Sequence, residues 1–170
     1  MEYRFRKAQK EDAQQIRDIL RQAIERRKQD GSRQWQDGYP NLEVVENDIE
    51  KEVGHVLTDD EVVIGYSAVL INYEPAYNDI EGKWLTNEDF VVMHRVAVSQ
   101  NYLGKGLAIY ILRQIEELAL TSGIKSIKAD TNFDNAAMMN IFEKLEYSYC
   151  GEVHFRGSAR KAYEKVLGWQ

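Results

Sequence analysis

The sequence predicts an α/β (α+β) fold, with a mixed, mostly antiparallel central sheet that is covered by helices on both faces. Apolar residues alternate with polar ones in some segments, as in half-buried strands, and recur at helical spacing in others. The predicted strands outnumber the helices, and three strands in the middle of the chain are consecutive. Consecutive strands favour antiparallel pairing, whereas each later strand–helix–strand unit is expected to cross over with a right hand.

The first part of the chain contains one predicted strand and two predicted helices. The alternation in EYRFRKA predicts the strand, and the helical spacing of apolar residues in KEDAQQIRDILRQAIERR predicts the first helix. The segment KQDGSRQWQDGYP interrupts that spacing with two glycines and a proline. A second helix is then expected to begin after Asn41.

The rest of the chain contains segments with the two-residue spacing of strands and segments with helical spacing. HVLTDDEVVIGYSAVLINYE predicts two strands joined by a turn at Asp59 and Asp60, and NEDFVVMHRVAV predicts another strand. LAIYILRQIEELALTSG predicts a helix that Gly123 ends. The remaining segments predict a strand, a helix and two strands: IKSIKADT, NAAMMNIFEKLE, YSYCGEVHF and ARKAYEKVL. The predicted order is βααβββαβαββ.

Composition narrows the functional classes. The 170 residues suit one domain, residues 1–170, and the formal net charge of −6 argues against a nucleic-acid partner. No apolar run has the length of a membrane helix, so no membrane partner is expected. Charges near the start argue against a signal peptide, which favours the cytoplasm. Cys150 is the single cysteine, and we interpret it as packing; no metal site is expected.

The segment LGKGLA, residues 103–108, combines two glycines with the start of a predicted helix. One interpretation is a purely structural turn, because glycine adopts backbone angles that other residues avoid. The other is a phosphate site, because the first N–H groups of a helix have no partner within the helix and attract anions. Neither a Walker loop nor a GxGxxG dinucleotide loop fits the sequence, since Ile109 occupies the third glycine position of the latter.

These residues resemble the GNAT superfamily of N-acetyltransferases, and the resemblance covers essentially the whole chain through its element order. LGKGLA is similar to the family's [QR]xxGx[GA] turn, with Leu103 in place of Gln or Arg. The block from Asp130 to Tyr149 is similar to N-x-x-A-x-x-L-Y-x-K-x-G-F: Asn135, Lys144 and Tyr147 match it. Phe142 replaces the tyrosine that often protonates the departing thiolate, and Glu146 replaces the glycine.

The resemblance implies a GNAT-like acyl-CoA N-acyltransferase fold with acetyl-CoA as co-substrate. It also implies that backbone N–H groups hold the pyrophosphate and that a strand splays to accept the pantetheine arm. The implied cofactor-binding residues are Val96, Ala97, Val98, Leu103, Gly104, Lys105, Gly106, Leu107, Ala108 and Asn135.

Acetyl transfer requires removal of a proton from the amine. Asp130 and His94 are the candidate bases, with Glu88 as a weaker option. Asp130 is also interpretable as a cap or turn residue, which is the favoured interpretation. His94, which alternates with Val96 and Val98, is equally interpretable as a packed strand residue. Tyr147 or Tyr149 is the candidate acid in place of Phe142, although aromatic residues on strands mostly pack. A thiolate also leaves acceptably without an acid.

Two loops are candidates for the acceptor site. Trp35 and Tyr39 are large aromatics among polar residues in the first interhelical loop, where they either contact an acceptor or anchor the loop. The acidic and aromatic loop at residues 72–87 is the second candidate wall.

The sequence therefore predicts an N-acetyltransferase that moves an acetyl group from acetyl-CoA to the primary amine of a small molecule, by direct attack in a ternary complex. A protein N terminus or lysine is an alternative acceptor. A non-catalytic acyl-CoA sensor and a nucleotide-dependent oxidoreductase are the rival classes. The sequence does not determine the oligomeric state; a homodimer is one candidate, because similar proteins often dimerise through late strands.

Overall fold

A computed structural model describes residues 2–168 of the chain. The four α-helices are α1 (Ala13–Gln29), α2 (Leu42–Glu50), α3 (Leu107–Thr121) and α4 (Ala136–Lys144). The eight strands are β1 (Tyr3–Lys7), β2 (Gly54–Asp59), β3 (Val62–Ile71), β4 (Glu81–Gly82), β5 (Phe90–Val98), β6 (Ser126–Thr131), β7 (Ser148–Phe155) and β8 (Ser158–Val166). Three short 3₁₀ helices span Lys10–Asp12, Pro75–Asp79 and Gln100–Tyr102.

The predicted fold class is confirmed: the strands form a mixed, mostly antiparallel sheet, and the order of longer elements is βααβββαβαββ. The prediction missed β4, which has only two residues and pairs with β7. So short a strand carries too few residues for a period-two pattern to be recognised. The residues between β3 and β5, predicted as a loop, also include the 3₁₀ helix Pro75–Asp79.

Local side chains explain where the helices begin and end. The Asn41 side chain accepts a hydrogen bond from the Val44 N–H at 3.1 Å, and Asn135 accepts from the Met138 N–H at 3.2 Å. Each asparagine thereby satisfies one of the N–H groups that the start of α2 and of α4 leaves unpaired. Gly123 lies two residues beyond α3 with φ 75°, the left-handed conformation that favours glycine after a helix.

The described chain divides into two compact units. The first unit comprises the chain up to Val69 together with His94–Gln114. Its strands lie in the order β1-β2-β3-β5, with antiparallel pairing of β1 to β2 and of β2 to β3. Apolar residues of α1, α2 and these strands form its core, which includes Ile16, Leu20, Val45, Val56 and Tyr66.

The second unit comprises Leu70–Met93 and the chain from Ile115 onward. Its strands lie in the order β5-β6-β8-β7-β4, and only β5 and β6 pair in parallel among the pairings described there. A single domain over residues 1–170 stays a prediction. Within residues 2–168, every helix is too short or too polar to cross a membrane.

Candidate active site

The LGKGLA turn is exposed and has a left-handed backbone at both glycines. Gly104 has φ 79° and Gly106 has φ 70°, and a Cβ built on either would meet no atom within 4 Å. The glycines are therefore required by backbone conformation and not by crowding. They also leave open surface beside the main chain, which is the condition for close approach by a ligand.

The helix that follows the turn presents amide groups toward it. Leu107 is buried and fixes the first turn of α3, and the Tyr110 N–H donates to the Gly106 carbonyl at 3.0 Å. The N–H groups before Tyr110 lie in the part of a helix that has no intrahelical acceptor. The first turn of α3 contains no acidic residue, and Lys105 is exposed beside it. This combination favours an anion.

Helix α1 fixes the main chain between β5 and the turn. The Arg26 Nη2 donates to the Val98 carbonyl at 2.9 Å, and the Gln22 Oε1 accepts from the Gln100 N–H at 3.0 Å. The Ser99 N–H between them donates to the Ile64 carbonyl at 2.8 Å. Three successive main-chain groups are thus held, which limits the motion of the segment that leads into the turn.

Strand β5 carries Val96, Ala97 and Val98, whose main-chain groups are predicted to accept the cofactor arm. Arg95, just before them, has φ 57°, which is unusual for a residue other than glycine and typical of a β-bulge. This left-handed residue interrupts the regular pleat, so alternation does not by itself place His94 on the face of Val96. The His94 carbonyl accepts a hydrogen bond from the Ser67 hydroxyl at 3.2 Å.

Asp130 lies at the end of β6 within a group of polar side chains. The Tyr77 hydroxyl donates to Asp130 Oδ2 at 2.6 Å, and Arg160 Nη1 lies 3.6 Å from Oδ1. Burial and the neighbouring carboxylate of Asp130 raise the pKa of Tyr77, so this phenol remains a donor. These two contacts favour the interpretation of Asp130 as a structural residue.

Tyr147 and Asn135 lie in the second unit and both make local contacts. The Tyr147 hydroxyl donates to Glu116 Oε2 at 3.4 Å, while Lys165 Nζ lies 3.2 Å from the same oxygen. The ring of Tyr147 packs at 5.3 Å from that of Phe142, which is fully buried. The side-chain oxygen of Asn135 caps α4. Catalysis by Tyr147 and cofactor binding by Asn135 both stay predictions.

The two aromatics of the first interhelical loop have different surroundings. Trp35 is 4% exposed and belongs to the core of the first unit, where the Arg27 guanidinium lies 3.9 Å from its ring. Burial, with a smaller contribution from Arg26, lowers the pKa of Arg27 to about 10. Tyr39 is half-buried and its hydroxyl accepts from the Arg95 guanidinium. These contacts favour the anchoring interpretation of Trp35, and acceptor binding by either residue stays a prediction.

The turn begins a few residues after the end of β5, in the first unit. Two supporting features in that unit were not predicted from the sequence. Arg26 donates to the Val98 carbonyl, 72 residues away in the chain. Arg95, on β5, donates to Asp48, 47 residues away. A lone arginine on a helix or strand has no local signal that distinguishes it from a surface residue. Within residues 2–168, no group of three or more His, Cys, Asp or Glu side chains is arranged to hold a metal ion.

Comparisons with known proteins agree with this arrangement. The model of the Acetyltransferase (GNAT) family matches residues 14–147. An acetyltransferase of the GNAT family from Streptococcus agalactiae has 34% sequence identity and a TM-score of 0.88, covering 98% of this chain and 96% of that one. A search of curated proteins found no match.

Two more distant structures share the fold. A GNAT-family acetyltransferase from Listeria monocytogenes has 20% identity and a TM-score of 0.78, covering 98% of this chain and 96% of its own. The PaiA N-acetyltransferase from Thermoplasma acidophilum, solved in complex with coenzyme A, has 16% identity and a TM-score of 0.72, covering 98% of this chain and 100% of its own. The family match and the identity to the streptococcal protein decide the assignment: this chain belongs to the GNAT family of acetyltransferases.

Proposed function

We propose that the protein transfers the acetyl group of acetyl-CoA to the primary amine of a small molecule, in a ternary complex of enzyme, acetyl-CoA and amine. The observation that carries this proposal is the exposed turn with left-handed Gly104 and Gly106 at the start of α3. A diphosphate has room to approach the main chain there, and the unpaired amides and the helix dipole attract it despite the net charge of −6.

Acetyl-CoA fits this turn chemically. Its diphosphate suits the amides of residues 103–108, and Lys105 supplies an additional positive charge at the surface. The pantetheine arm, which carries two amide groups, suits the main chain of Val96, Ala97 and Val98. The complex of the Thermoplasma protein with coenzyme A supports the same ligand class for a chain of this fold.

The chemistry is a direct displacement. The neutral amine nitrogen attacks the thioester carbonyl carbon, the carbonyl oxygen takes up negative charge, and the C–S bond then breaks to release the coenzyme A thiolate. The substrate ammonium first loses one proton to a base or to water. The nitrogen loses a second proton as the amide forms, and that proton passes to the leaving thiolate or to water. A main-chain N–H of β5 that faces the carbonyl oxygen would stabilise the developing charge.

Of the two candidate bases, His94 is the better supported. Asp130 accepts from Tyr77 and lies beside Arg160, contacts that a structural carboxylate also makes. His94 lies on the strand whose main chain is proposed to accept the cofactor arm, and an imidazole nitrogen can accept a proton. The test is the pH profile of kcat/KM for His94→Gln and for Asp130→Asn. Replacing the residue that acts as the base should remove a pH-dependent limb of the profile, and replacing the other residue should leave that limb in place.

Tyr147 as general acid is tested in the same way. If it protonates the leaving thiolate, Tyr147→Phe lowers kcat while the KM for acetyl-CoA is retained. If the thiolate leaves unassisted, the variant keeps its kcat and loses only the stability contributed by the contact with Glu116.

A non-catalytic acyl-CoA sensor is the second candidate function. The observation that favours it is the burial of Phe142 against Tyr147 and Tyr163. The family often has at this position a tyrosine that protonates the departing thiolate. Both functions predict binding of coenzyme A, so binding alone does not separate them.

Release of free thiol separates the two functions. Acetyl-CoA is incubated with the protein and a panel of polyamines, amino acids, aminoglycosides and peptides, and the thiol is followed with a chromogenic disulfide. The proposal predicts amine-dependent release with at least one small amine. Release only with peptides would indicate a protein acceptor, and acetyl-CoA binding without release in any arm would indicate a sensor.

A further inference from the structure

A buried polar network surrounds the left-handed residue of β5. Arg95 Nε donates to Asp48 Oδ2 at 3.0 Å, and its Nη2 donates to Oδ1 at 2.7 Å. The Tyr66 hydroxyl donates to Asp48 Oδ2 at 2.6 Å, and the remaining Arg95 Nη1 donates to the Tyr39 oxygen. The side chains of Arg95 and Asp48 are 11% and 5% exposed, so the pair is nearly removed from water.

This network has a cost that its contacts must offset. A non-glycine residue at φ 57° is strained by about 1–2 kcal/mol, and burial of a charged pair requires desolvation of both groups. Burial acts to lower the pKa of Arg95, but Tyr39, Asp48 and Tyr66 outweigh it and raise the pKa above its ordinary value. The contacts therefore stabilise the charged form of the guanidinium. Strain that is over-determined by its surroundings is typical of functional sites.

The conformation of Arg95 determines the direction of the next amide. The peptide between Arg95 and Val96 turns with the backbone angles of Arg95, and its N–H is the first one after the left-handed residue. Val96, Ala97 and Val98 are the residues whose main chain is proposed to accept the cofactor arm. A side chain that fixes Arg95 therefore also fixes the orientation of that amide.

We infer that Asp48, Tyr66 and Tyr39 are positioning residues that act through Arg95 to aim the Val96 amide at the thioester carbonyl. The inference rests on the proposed function. It assigns Tyr39 a role on the cofactor side, because the phenol contacts the guanidinium that holds the strand. Asp48 comes from α2 and Tyr66 from β3, so three separate segments hold one backbone angle.

The test compares catalysis with cofactor binding in Arg95→Gln, Arg95→Lys and Tyr39→Phe. Arg95→Gln is expected to lower kcat about 10- to 100-fold, because a misaimed amide loses part of the stabilisation that one oxyanion donor supplies. Arg95→Lys keeps the charge but cannot form two parallel bonds to Asp48, so it should recover part of the loss. The dissociation constant for coenzyme A should stay within about twofold in all three, since the diphosphate binds elsewhere on the chain.

Arg6→Gln is the matched control. Arg6 also forms a two-bond pair with an aspartate, Asp12, at 2.7 and 3.0 Å, but on β1, away from the left-handed residue in the chain. Its variant should lose thermal stability and keep kcat. If Arg95→Gln does not fold, Arg95→Lys and Tyr39→Phe provide the test, since both keep the buried positive charge.

Three results would overturn the inference. Arg95→Lys and Tyr39→Phe with unchanged kcat would show that the network only stabilises the fold. A loss of coenzyme A affinity in proportion to kcat would show that it holds the cofactor and does not aim the amide. Absence of coenzyme A binding by the unmodified protein would instead remove the proposed function on which the inference rests.

Discussion

The Arg26 guanidinium donates a hydrogen bond to the carbonyl oxygen of Val98, 2.9 Å away and 72 residues further along the chain. This contact joins α1 to the last residue of β5. One helical turn earlier, Gln22 accepts from the Gln100 N–H. The two side chains hold the main chain on either side of Ser99, just before the glycine turn, so a helix far away in sequence determines where the turn lies.

Arg26→Ala should weaken acetyl-CoA binding without slowing the chemical step. Loss of a hydrogen bond costs about 1–1.5 kcal/mol, which corresponds to a KM for acetyl-CoA raised about 5- to 10-fold, with kcat within about twofold. Steady-state kinetics at saturating amine measure both constants. Arg21→Ala is the control, since Arg21 is an exposed residue of α1 paired only at the surface with Asp18. An unchanged KM in Arg26→Ala would show that the hydrogen bond from Arg26 to Val98 has no part in acetyl-CoA binding.

Tyr77→Phe should destabilise the protein by about 1–2 kcal/mol, because Asp130 loses the hydrogen bond at 2.6 Å within a buried site. Urea unfolding at pH 7 measures this difference in free energy. If Asp130 is structural, activity of the folded variant stays close to that of the unmodified protein. A change in the pH profile of kcat/KM with no loss of stability would reverse that assignment and make Asp130 the base.

Glu164→Gln should be more damaging than its small change in size suggests. Glu164 is fully buried, and its carboxylate accepts from the Leu85 N–H at 2.7 Å, the Thr86 hydroxyl at 2.6 Å and the Ser126 hydroxyl at 2.7 Å. An amide NH₂ cannot accept from these donors, so about 2–3 kcal/mol of stability should be lost.

Urea unfolding measures this loss as well, with Glu117→Gln as the control because Glu117 is exposed on α3. The loop that Glu164 holds includes part of the predicted acceptor wall, so the KM for the amine should rise in the folded variant. Equal stability of the two variants would show that the carboxylate charge is dispensable at this site.

His55 should make stability depend on pH. Burial holds the pKa of His55 below its ordinary value of 6.5, and the opposing hydrogen bond to the Val53 carbonyl, at 2.9 Å, is the weaker influence. A carbonyl only accepts, so Nδ1 carries the proton of the neutral ring. The unfolded chain then binds more protons than the folded one just below pH 6.5. The stability that this neutral ring provides is present above about pH 6.5 and is lost as the pH falls from there through the folded pKa.

The free energies of unfolding of the unmodified protein and of His55→Phe, measured at pH 7.5 and 5.5, test this dependence. Phenylalanine keeps the stacking on Phe5, whose ring lies 5.4 Å away, and does not titrate. The free energy of unfolding of the unmodified protein should exceed that of His55→Phe by less at pH 5.5 than at pH 7.5. A constant difference would contradict the prediction, and His154→Phe, at an exposed position of β7, is the control.

The features that could be predicted from the sequence are those with local causes. Asn41 and Asn135 begin helices because their side chains cap N–H groups three residues away, and Gly123 ends one through its own backbone angle. The glycine turn could be identified for the same reason. Each of these signals is contained within a few neighbouring residues.

The features that could not be predicted depend on contacts between distant segments. Nothing in MHRVAV marks Arg95 as left-handed, since its side chain pairs with Asp48 of helix α2, 47 residues away. Asp130 carries no sequence signal that it meets Tyr77, and Trp35 no signal that it is buried beneath Arg27. Tertiary contacts of this kind decide whether a polar or aromatic residue is structural or functional.

Titration of coenzyme A into Gly106→Val and Gly157→Val, followed by isothermal calorimetry, is the most direct test of the central claim that amides at the start of α3 bind the diphosphate. The two glycines are matched: φ is 70° and 77°, and a Cβ at either meets no atom within 4 Å. Both variants should therefore suffer similar backbone strain. Gly106→Val should weaken binding by at least about tenfold, while Gly157→Val should bind as the unmodified protein does. Equal affinity of the two variants for coenzyme A would contradict it.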